Sequence, residues 1–163
     1  MPLPSQEYLL NLFSYEPETG KLFHKVYKNS QAQSGDAAGC LGGDGYINVT
    51  INKQKFYISR IIWMMMTGDD PGALYVDHKD RDRSNNRWNN LRLANRPQQM
   101  WNRKMPGKGY CFDRQRNKWI VRVYVNGKRL WGGRHDTEQQ AREAAQRLRA
   151  AHQGEFAGEF AGC

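Results

Sequence analysis

The spacing of apolar and polar positions changes along the chain, and each spacing predicts an element. Tyr8, Leu9, Leu12 and Phe13 recur at helical intervals behind Ser5, which predicts a short helix capped by Ser5. Pro17-Glu18-Thr19-Gly20 reads as a turn and residues 21–27 as a strand. Residues 29–43 are polar and glycine-rich and read as a loop. Residues 45–51 alternate, with Ile47, Val49 and Ile51 on one face, and Asn52-Lys53-Gln54 turns the chain into a second strand over 55–58. From Ser59 the period becomes helical and stops at Thr67-Gly68, with Gly68 as the C-cap. Trp63 and the methionines at 64–66 are assigned to core packing, because Met and Trp fill irregular interiors. Asp69-Asp70-Pro71-Gly72 is a turn.

The next stretch, residues 76–104, is polar. A short apolar run, Leu74-Tyr75-Val76, ends in Asp77-His78. A charged loop follows, then Asn89-Asn90-Leu91-Arg92-Leu93-Ala94, then a helical run from Arg96 with Asn95 as its N-cap and Pro97 in its first turn. On that helix Gln99, Asn102 and Arg103 share one face. Pro106-Gly107-Lys108-Gly109 reads as a hinge. Three short strands are predicted over 110–113, 118–125 and 128–132, the last two joined by the hairpin signal Asn126-Gly127. Thr137 opens a helix to about His152, with a capping box through Gln140. The chain ends in two Gly-Glu-Phe-Ala copies, too few for a solenoid, which read as a tail docked by Phe156.

Charge sharpens this division. The 163 residues carry a formal charge of +9 and a pI near 9.6. Residues 1–70 are net −1, while residues 71–105 and 106–163 are each net +5. A positive balance confined to the last two-thirds points to a polyanionic partner. Cys40, Cys111 and Cys163 stand alone, without a C-x-x-C pair, which argues against a zinc knuckle. An odd cysteine count and the lack of a signal-peptide pattern point to a reducing cytosol. The most apolar run, residues 61–66, is too short to span a bilayer.

Phosphodiester hydrolysis needs a base for water, a cation for the charge developing at phosphorus, and help for the leaving oxygen. His78 has the chemistry of the base. Asp77 is a hard oxygen ligand suited to Mg²⁺ or Mn²⁺, and one more oxygen from the following helix would complete the protein's share. Asn90 can bond the intervening loop and hold His78 in place, and Arg81, Arg83, Arg87, Arg92 and Arg96 can hold phosphates. Taken singly, each of these residues is more often structural, since loop asparagines commonly just make turns.

Together they resemble the HNH, or His-Me finger, endonucleases, above all the small phage and intron homing type. The resemblance rests on Asp77-His78, Asn85-Asn86-Arg87, Asn89-Asn90-Leu91-Arg92 and Gln98-Gln99-Met100-Trp101-Asn102. Upstream, the 15–20 segment, Gly45-Tyr46-Ile47, Arg60-Ile61-Ile62-Trp63 and Gly68-Asp69-Asp70-Pro71 are similar to that family's lead-in. Downstream, Lys108-Gly109-Tyr110, Lys118-Trp119, Gly127-Lys128-Arg129, Asp136-Thr137-Glu138 and the first Gly-Glu-Phe-Ala copy resemble the AP2-type DNA-binding domain.

The resemblance implies an α+β chain. Residues 1–105 would form the nuclease domain, with a hairpin-and-helix lead-in over 1–72 and a ββα-metal motif over 73–105. Residues 106–163 would form an AP2-like three-stranded sheet with a helix. Strand 74–78, the loop, strand 91–94 and helix 96–104 would surround one divalent ion, Mg²⁺ or Mn²⁺. His78 would be the general base, Asn90 the stabiliser of the motif, and Asp77 and Gln99 the metal ligands. Arg60, Asn102 and Arg103 would join the DNA-facing set. The AP2-like sheet would read the major groove through Arg114, Arg116, Lys118, Arg122, Arg129 and Trp131. The partner implied is double-stranded DNA, bound by a monomer or a homodimer in the cytoplasm, that of the host for a phage-encoded chain. The reaction implied is a single-strand nick leaving a 5′-phosphate and a 3′-hydroxyl.

Two positions depart from the family pattern. Gln99 stands where Asn or His is usual, offering the same carbonyl oxygen one methylene further out. Ser59 stands where the lead-in usually has His. A DNA-binding protein with an attenuated site, or a protein-interaction module on the same fold, are the alternatives these departures leave open.

Overall fold

The computed structural model describes residues 2–26, 33–102, 107–125 and 127–157. Arg103, Asn126 and the second Gly-Glu-Phe-Ala copy, all singled out above, lie outside them. The fold is mixed α and β, and the chain divides into two compact units, Met1–Asn95 and Arg96–Cys163. The sequence put the boundary at 105/106, so the short helix beginning at Arg96 groups with the second unit.

In the first unit, helix α1 (Gln6–Leu12) starts where Ser5 Oγ accepts the Tyr8 N–H at 3.3 Å. It stops at Phe13, whose φ of −134° and ψ of 151° are extended. Phe13 was expected on the helical face. It instead opens strand β1 (Phe13–Glu16), which pairs antiparallel with β2 (Lys21–His24). The turn between them ends at Gly20, with φ of +75°. A Cβ there would lie 2.5 Å from Arg87 N and 2.6 Å from the Asn86 carbonyl carbon, so only glycine lets the hairpin seat against that backbone. Strand β3 (Cys40–Leu41), β4 (Ile47–Ile51) and β5 (Gln54–Tyr57) form a second antiparallel sheet in that order.

Helix α2 (Ile58–Thr67) ends on Gly68, whose N–H reaches the Met64 carbonyl. Its Ile58, Ile61, Ile62 and Met65 are buried with Leu9, Phe13, Leu22, Val49, Ile51, Val76 and Leu91 in one core. Each such side chain contributes about 2 kcal/mol by leaving water. Trp63 and Met64 pack on this core as expected, whereas Met66 is 41% exposed. The Trp63 ring lies 5.2 Å from Trp88, which fastens the helix to the polar loop that follows. Strands β6 (Tyr75–His78) and β7 (Leu91–Ala94) make a two-stranded antiparallel ribbon.

In the second unit, α3 (Arg96–Trp101) precedes an antiparallel sheet of β8 (Tyr110–Asp113), β9 (Lys118–Val125) and β10 (Lys128–His135), ordered β10-β9-β8. Helix α4 (Glu138–Gln153) begins in a complete capping box between Thr137 and Gln140. Its Ala141 and Ala145 pack on Val121, Val123 and Val125 to form a separate core. A 3-10 turn (Gly154–Phe156) buries Phe156, as expected of a docked tail. No helix among the described residues is long and apolar enough to cross a membrane, and Cys40 and Cys111 are exposed free thiols.

Candidate active site and nucleic-acid interface

The β6–β7 ribbon sets the centre of the candidate site. Its register places Asp77 opposite Arg92 and His78 opposite Leu91. Asp77, His78 and Arg92 are all buried. Arg92 Nε donates to Asp77 Oδ2 at 3.0 Å, a cross-strand ion pair with both side chains shielded from water. Arg92 was expected to hold phosphate; its charge is instead spent on the neighbouring strand. Arg60 departs from expectation in the same way. Its guanidinium binds Asp70 Oδ1 at 2.9 Å and the carbonyls of Gly72 and Leu74, fastening α2 to the turn before β6.

Residues 79–90 leave β6 and return to β7 through a loop closed by Asn90. The Asn90 side-chain oxygen accepts the Asp80 N–H at 3.1 Å. Its nitrogen donates to Asp80 Oδ1 at 2.9 Å and to the Asn85 carbonyl at 2.7 Å. Its own carbonyl accepts the Lys79 N–H at 2.9 Å. Inside this frame, Asp80 accepts from the Asp82 N–H and the Asn85 amide, and Asp82 accepts from the Ser84 N–H and hydroxyl. The Ser84 hydroxyl, then its N–H, hold the Asp82 carboxyl below the ordinary carboxylate range. A network so fully satisfied fixes the loop, and with it the loop's cations. Arg83 and Arg87 are exposed, Arg81 is half-buried with φ of +68°, and the Lys79 ammonium is tied to the Asn89 carbonyl at 2.8 Å.

The loop also reaches His78. Asn86, 2% exposed, puts its Oδ1 3.1 Å from His78 Nε2. The Asn86 carbonyl in turn accepts the Tyr15 hydroxyl at 2.8 Å, and the Trp88 N–H reaches the Pro17 carbonyl at 3.2 Å. The β1–β2 hairpin therefore holds the segment that holds His78. On the other side, the Tyr46 ring lies 5.9 Å from the His78 ring. Arg83 stacks over Tyr46 at 5.0 Å and donates to the Asp44 carbonyl at 2.7 Å. An imidazole beside a carboxylate, at the end of a strand that leads into a fixed loop bearing arginines, is suited to proton transfer at an anionic ester.

This ribbon and loop lie inside a known pattern. Residues 56–100 match the family model of the HNH endonucleases. The chain is also 33% identical over 73 residues to Protein 3.8 of Escherichia phage T7, a match covering 41% of this chain and 60% of that relative. The solved structure of the HNH homing endonuclease I-HmuI, described for DNA binding and cleavage, is 22% identical. That similarity covers 58% of this chain and 53% of the other, with a TM-score of 0.39.

Within the HNH-matched segment the ribbon brings Asp77, His78 and Asn90 together, with Arg81, Arg83 and Arg87 on the same loop. Arg96 is exposed and Gln99 half-buried on α3, in the second unit. Asn102, expected to face DNA, is 6% exposed. No group of three or more His, Cys, Asp or Glu side chains able to hold a metal ion occurs among the described residues. Asn86 and Tyr46 approach His78, and Tyr15 bonds Asn86, contacts that sequence reasoning missed. All three lie within segments that carry the HNH resemblance, but nothing local in the sequence sets Asn86 and Tyr46 beside His78, or Tyr15 beside Asn86.

The second unit presents a basic, aromatic sheet face. Val121, Val123 and Val125 point to α4, so Arg122 and Tyr124 point away from it. Register sets Trp131 opposite Arg122, and Arg129 opposite Tyr124. Tyr124 is 59% and Trp131 52% exposed. A bulge at Gly132-Gly133 then restores the face: Arg134 pairs opposite Ile120, two residues from Arg122 along β9. A side chain at 132 would collide with Val121, its Cβ only 2.3 Å from Cγ1, and Gly133 has φ of +93°. Through this bulge both Arg122 and Arg134 approach the Trp131 ring, at 5.7 and 5.5 Å. Arg134 and Tyr124 are additions to the predicted set; two adjacent glycines inside a strand are the signal that could have found the first. Arg114 is exposed, while Arg116 is paired with Asp113 and Lys118 with Asp136.

Proposed function

We propose that this chain is a divalent-metal-dependent DNA endonuclease that nicks one strand. The observation that carries the reading is the buried Asp77-His78 step held by the Asn90-closed loop, inside the segment matched to HNH endonucleases. His78 takes a proton from water, the water oxygen attacks phosphorus, and the bond to the 3′ oxygen breaks. The 3′ oxygen is protonated by solvent, leaving a 5′-phosphate and a 3′-hydroxyl. Arg81, Arg83 and Arg87 hold the phosphates that flank this step.

The donor chemistry fits a single hard cation that takes few protein ligands and keeps water and phosphate for the rest. Asp77 is the carboxylate that would hold Mg²⁺ or Mn²⁺, which when bound supplies positive charge at the phosphate. Arg92 already bonds that carboxylate, so affinity for the ion should be weak in free protein and rise when DNA adds its own oxygens. The role expected of Gln99 is tested by Gln99→Asn. Shortening the side chain to the usual amide is expected to raise the nicking rate severalfold, and an unchanged rate would remove Gln99 from the ligand set.

The second unit is proposed to grip the duplex in the AP2 manner, with Arg114, Arg122, Arg129 and Trp131 on or beside the exposed sheet face. Replacing Arg122 and Arg129 together by alanine is expected to weaken duplex binding. The slope of log affinity against log salt should fall by about 2, one unit for each phosphate no longer neutralised. An unchanged slope would place the phosphate-binding cations elsewhere.

A second reading is favoured by one observation: Asp77 is committed to Arg92. On that reading the protein binds DNA in a salt-sensitive way and cuts nothing. Conversion of supercoiled plasmid to open circles in Mg²⁺ or Mn²⁺ separates the two.

A further inference from the structure

Arg83 is exposed, yet its side chain is fixed at three places. Its Nη1 donates to the Asp44 carbonyl at 2.7 Å, and its guanidinium lies 5.0 Å from the centre of the Tyr46 ring. A Cβ on Gly45 would be 3.7 Å from Arg83 Cδ, so the stem passes close over that glycine. All three partners belong to the connection between β3 and β4. That connection is closed on itself: the Gly42 N–H reaches the Tyr46 carbonyl at 2.8 Å and the Gly45 N–H the Gly42 carbonyl at 3.0 Å. The Asp44 carboxylate ties it further. Oδ1 accepts the Tyr46 N–H at 3.2 Å, and Oδ2 accepts the hydroxyl of Tyr57, at the end of β5, at 3.0 Å. The Tyr46 N–H, then the Tyr57 hydroxyl, hold the Asp44 carboxyl below the ordinary carboxylate range, and the bond to Asp44 raises the Tyr57 phenol. Both groups therefore keep the charge state that this bond needs at neutral pH.

Arg83 differs from Arg92 and Arg60, which bond carboxylates. The Asp44 carbonyl is neutral and engages Nη1 alone, so the positive charge and the other donors of the guanidinium stay available on an exposed side chain. The Tyr46 ring also meets His78 at 5.9 Å. One tyrosine thus sets the offset between the imidazole and the guanidinium. An arginine ordered only when DNA arrives loses rotamer freedom on binding; Arg83 has lost it on folding. We propose that Asp44, Tyr46 and Tyr57 are positioning residues that hold Arg83 as a pre-ordered clamp for a backbone phosphate next to the one under attack. The word attack rests on the nuclease reading, but the clamp itself is a DNA-binding property that is measurable without cleavage.

The test is a double-mutant cycle on the full chain, read as duplex affinity in EDTA at several salt concentrations, with melting temperatures for each variant. Arg83→Ala is expected to weaken binding by about tenfold and to lower the slope of log affinity against log salt by about 1. Tyr57→Phe removes one hydroxyl from a ring that is 40% exposed. It should weaken binding by about threefold in wild type and leave it unchanged where Arg83 is already alanine. In the nicking assay with Mn²⁺, Tyr57→Phe should raise KM for plasmid by the same factor and leave kcat as it is, the mark of a lost ground-state contact. Equal losses in both backgrounds would make Tyr57 a merely structural residue and overturn the proposal. So would wild-type affinity and salt slope in Arg83→Ala, a variant that decides even where Tyr57→Phe fails to fold. A cycle with the expected coupling in a protein that opens no plasmid in Mg²⁺ or Mn²⁺ would sink the nuclease reading and leave the clamp standing. Nicking without that coupling would do the reverse.

Discussion

His78→Ala is expected to slow nicking by about 10²–10⁴-fold, the usual contribution of a positioned general base. Duplex affinity should stay within about twofold, because the cations assigned to phosphate are arginines on the loop and on the second unit's sheet. The two effects separate chemistry from grip. A structural histidine in the same place would behave differently. Its loss would lower the melting temperature and affect binding and cutting alike. The comparison therefore needs three measurements on one preparation: thermal unfolding, duplex affinity at fixed salt, and the single-turnover nicking rate. Nicking at the wild-type rate by a folded His78→Ala protein would remove His78 from the reaction.

Arg92→Met is expected to destabilise the protein by about 3–5 kcal/mol, since it leaves the Asp77 carboxylate buried without its cation. The same variant tests the metal assignment. With the guanidinium gone, Asp77 Oδ2 is no longer shared with Arg92, so Mn²⁺ should bind the free protein more tightly than it binds wild type. Bound Mn²⁺ should also recover part of the lost stability, as any ligand specific to the folded state does. The reading is a rise in melting temperature with added Mn²⁺ that is larger in Arg92→Met than in wild type. Asp77→Asn with Arg92→Met, a neutral pair, should abolish that difference. A variant as stable as wild type, or one indifferent to Mn²⁺, would mean that the Asp77–Arg92 pair is not the control on metal binding.

The ribbon and loop at the centre are legible in the amino-acid sequence because their signals are local. Strand 91–94 has the bounds expected of it, and the Asp77-His78 step closes β6 as read. Thr137 and Gln140 announce α4, and the hairpin between β9 and β10 follows from its turn residues. What sequence could not reveal depends on register and on distant partners. Phe13 fits the helical face of α1 by spacing, yet pairing with His24 across the β1–β2 hairpin draws it into a strand. Arg92 looks like any other arginine of a basic stretch. Only the β6–β7 register sets it opposite Asp77 and buries it.

The same cause explains the hidden part of the site. Asn85 and Asn86 are adjacent amides in a polar loop, and Asn85 makes the turn contacts such residues commonly make. Asn86 differs because the loop folds it back eight residues onto His78, while a hairpin some 70 residues away grips its carbonyl. In the second unit, alternation places Arg122 and Tyr124, but β10 was expected to stop at 132. The bulge carries it on to His135 and brings Arg134 to the face.

The central claim is that the HNH-matched segment cuts DNA, and plasmid nicking tests it most directly. Supercoiled plasmid incubated with the full chain should convert to open circles in Mg²⁺ or Mn²⁺, should stay supercoiled in EDTA, and should stay supercoiled with His78→Ala on the same time scale. The nicked ends should be 5′-phosphate and 3′-hydroxyl. Tight, salt-sensitive binding with no open circles in either ion would contradict the account and leave a DNA-binding protein in its place.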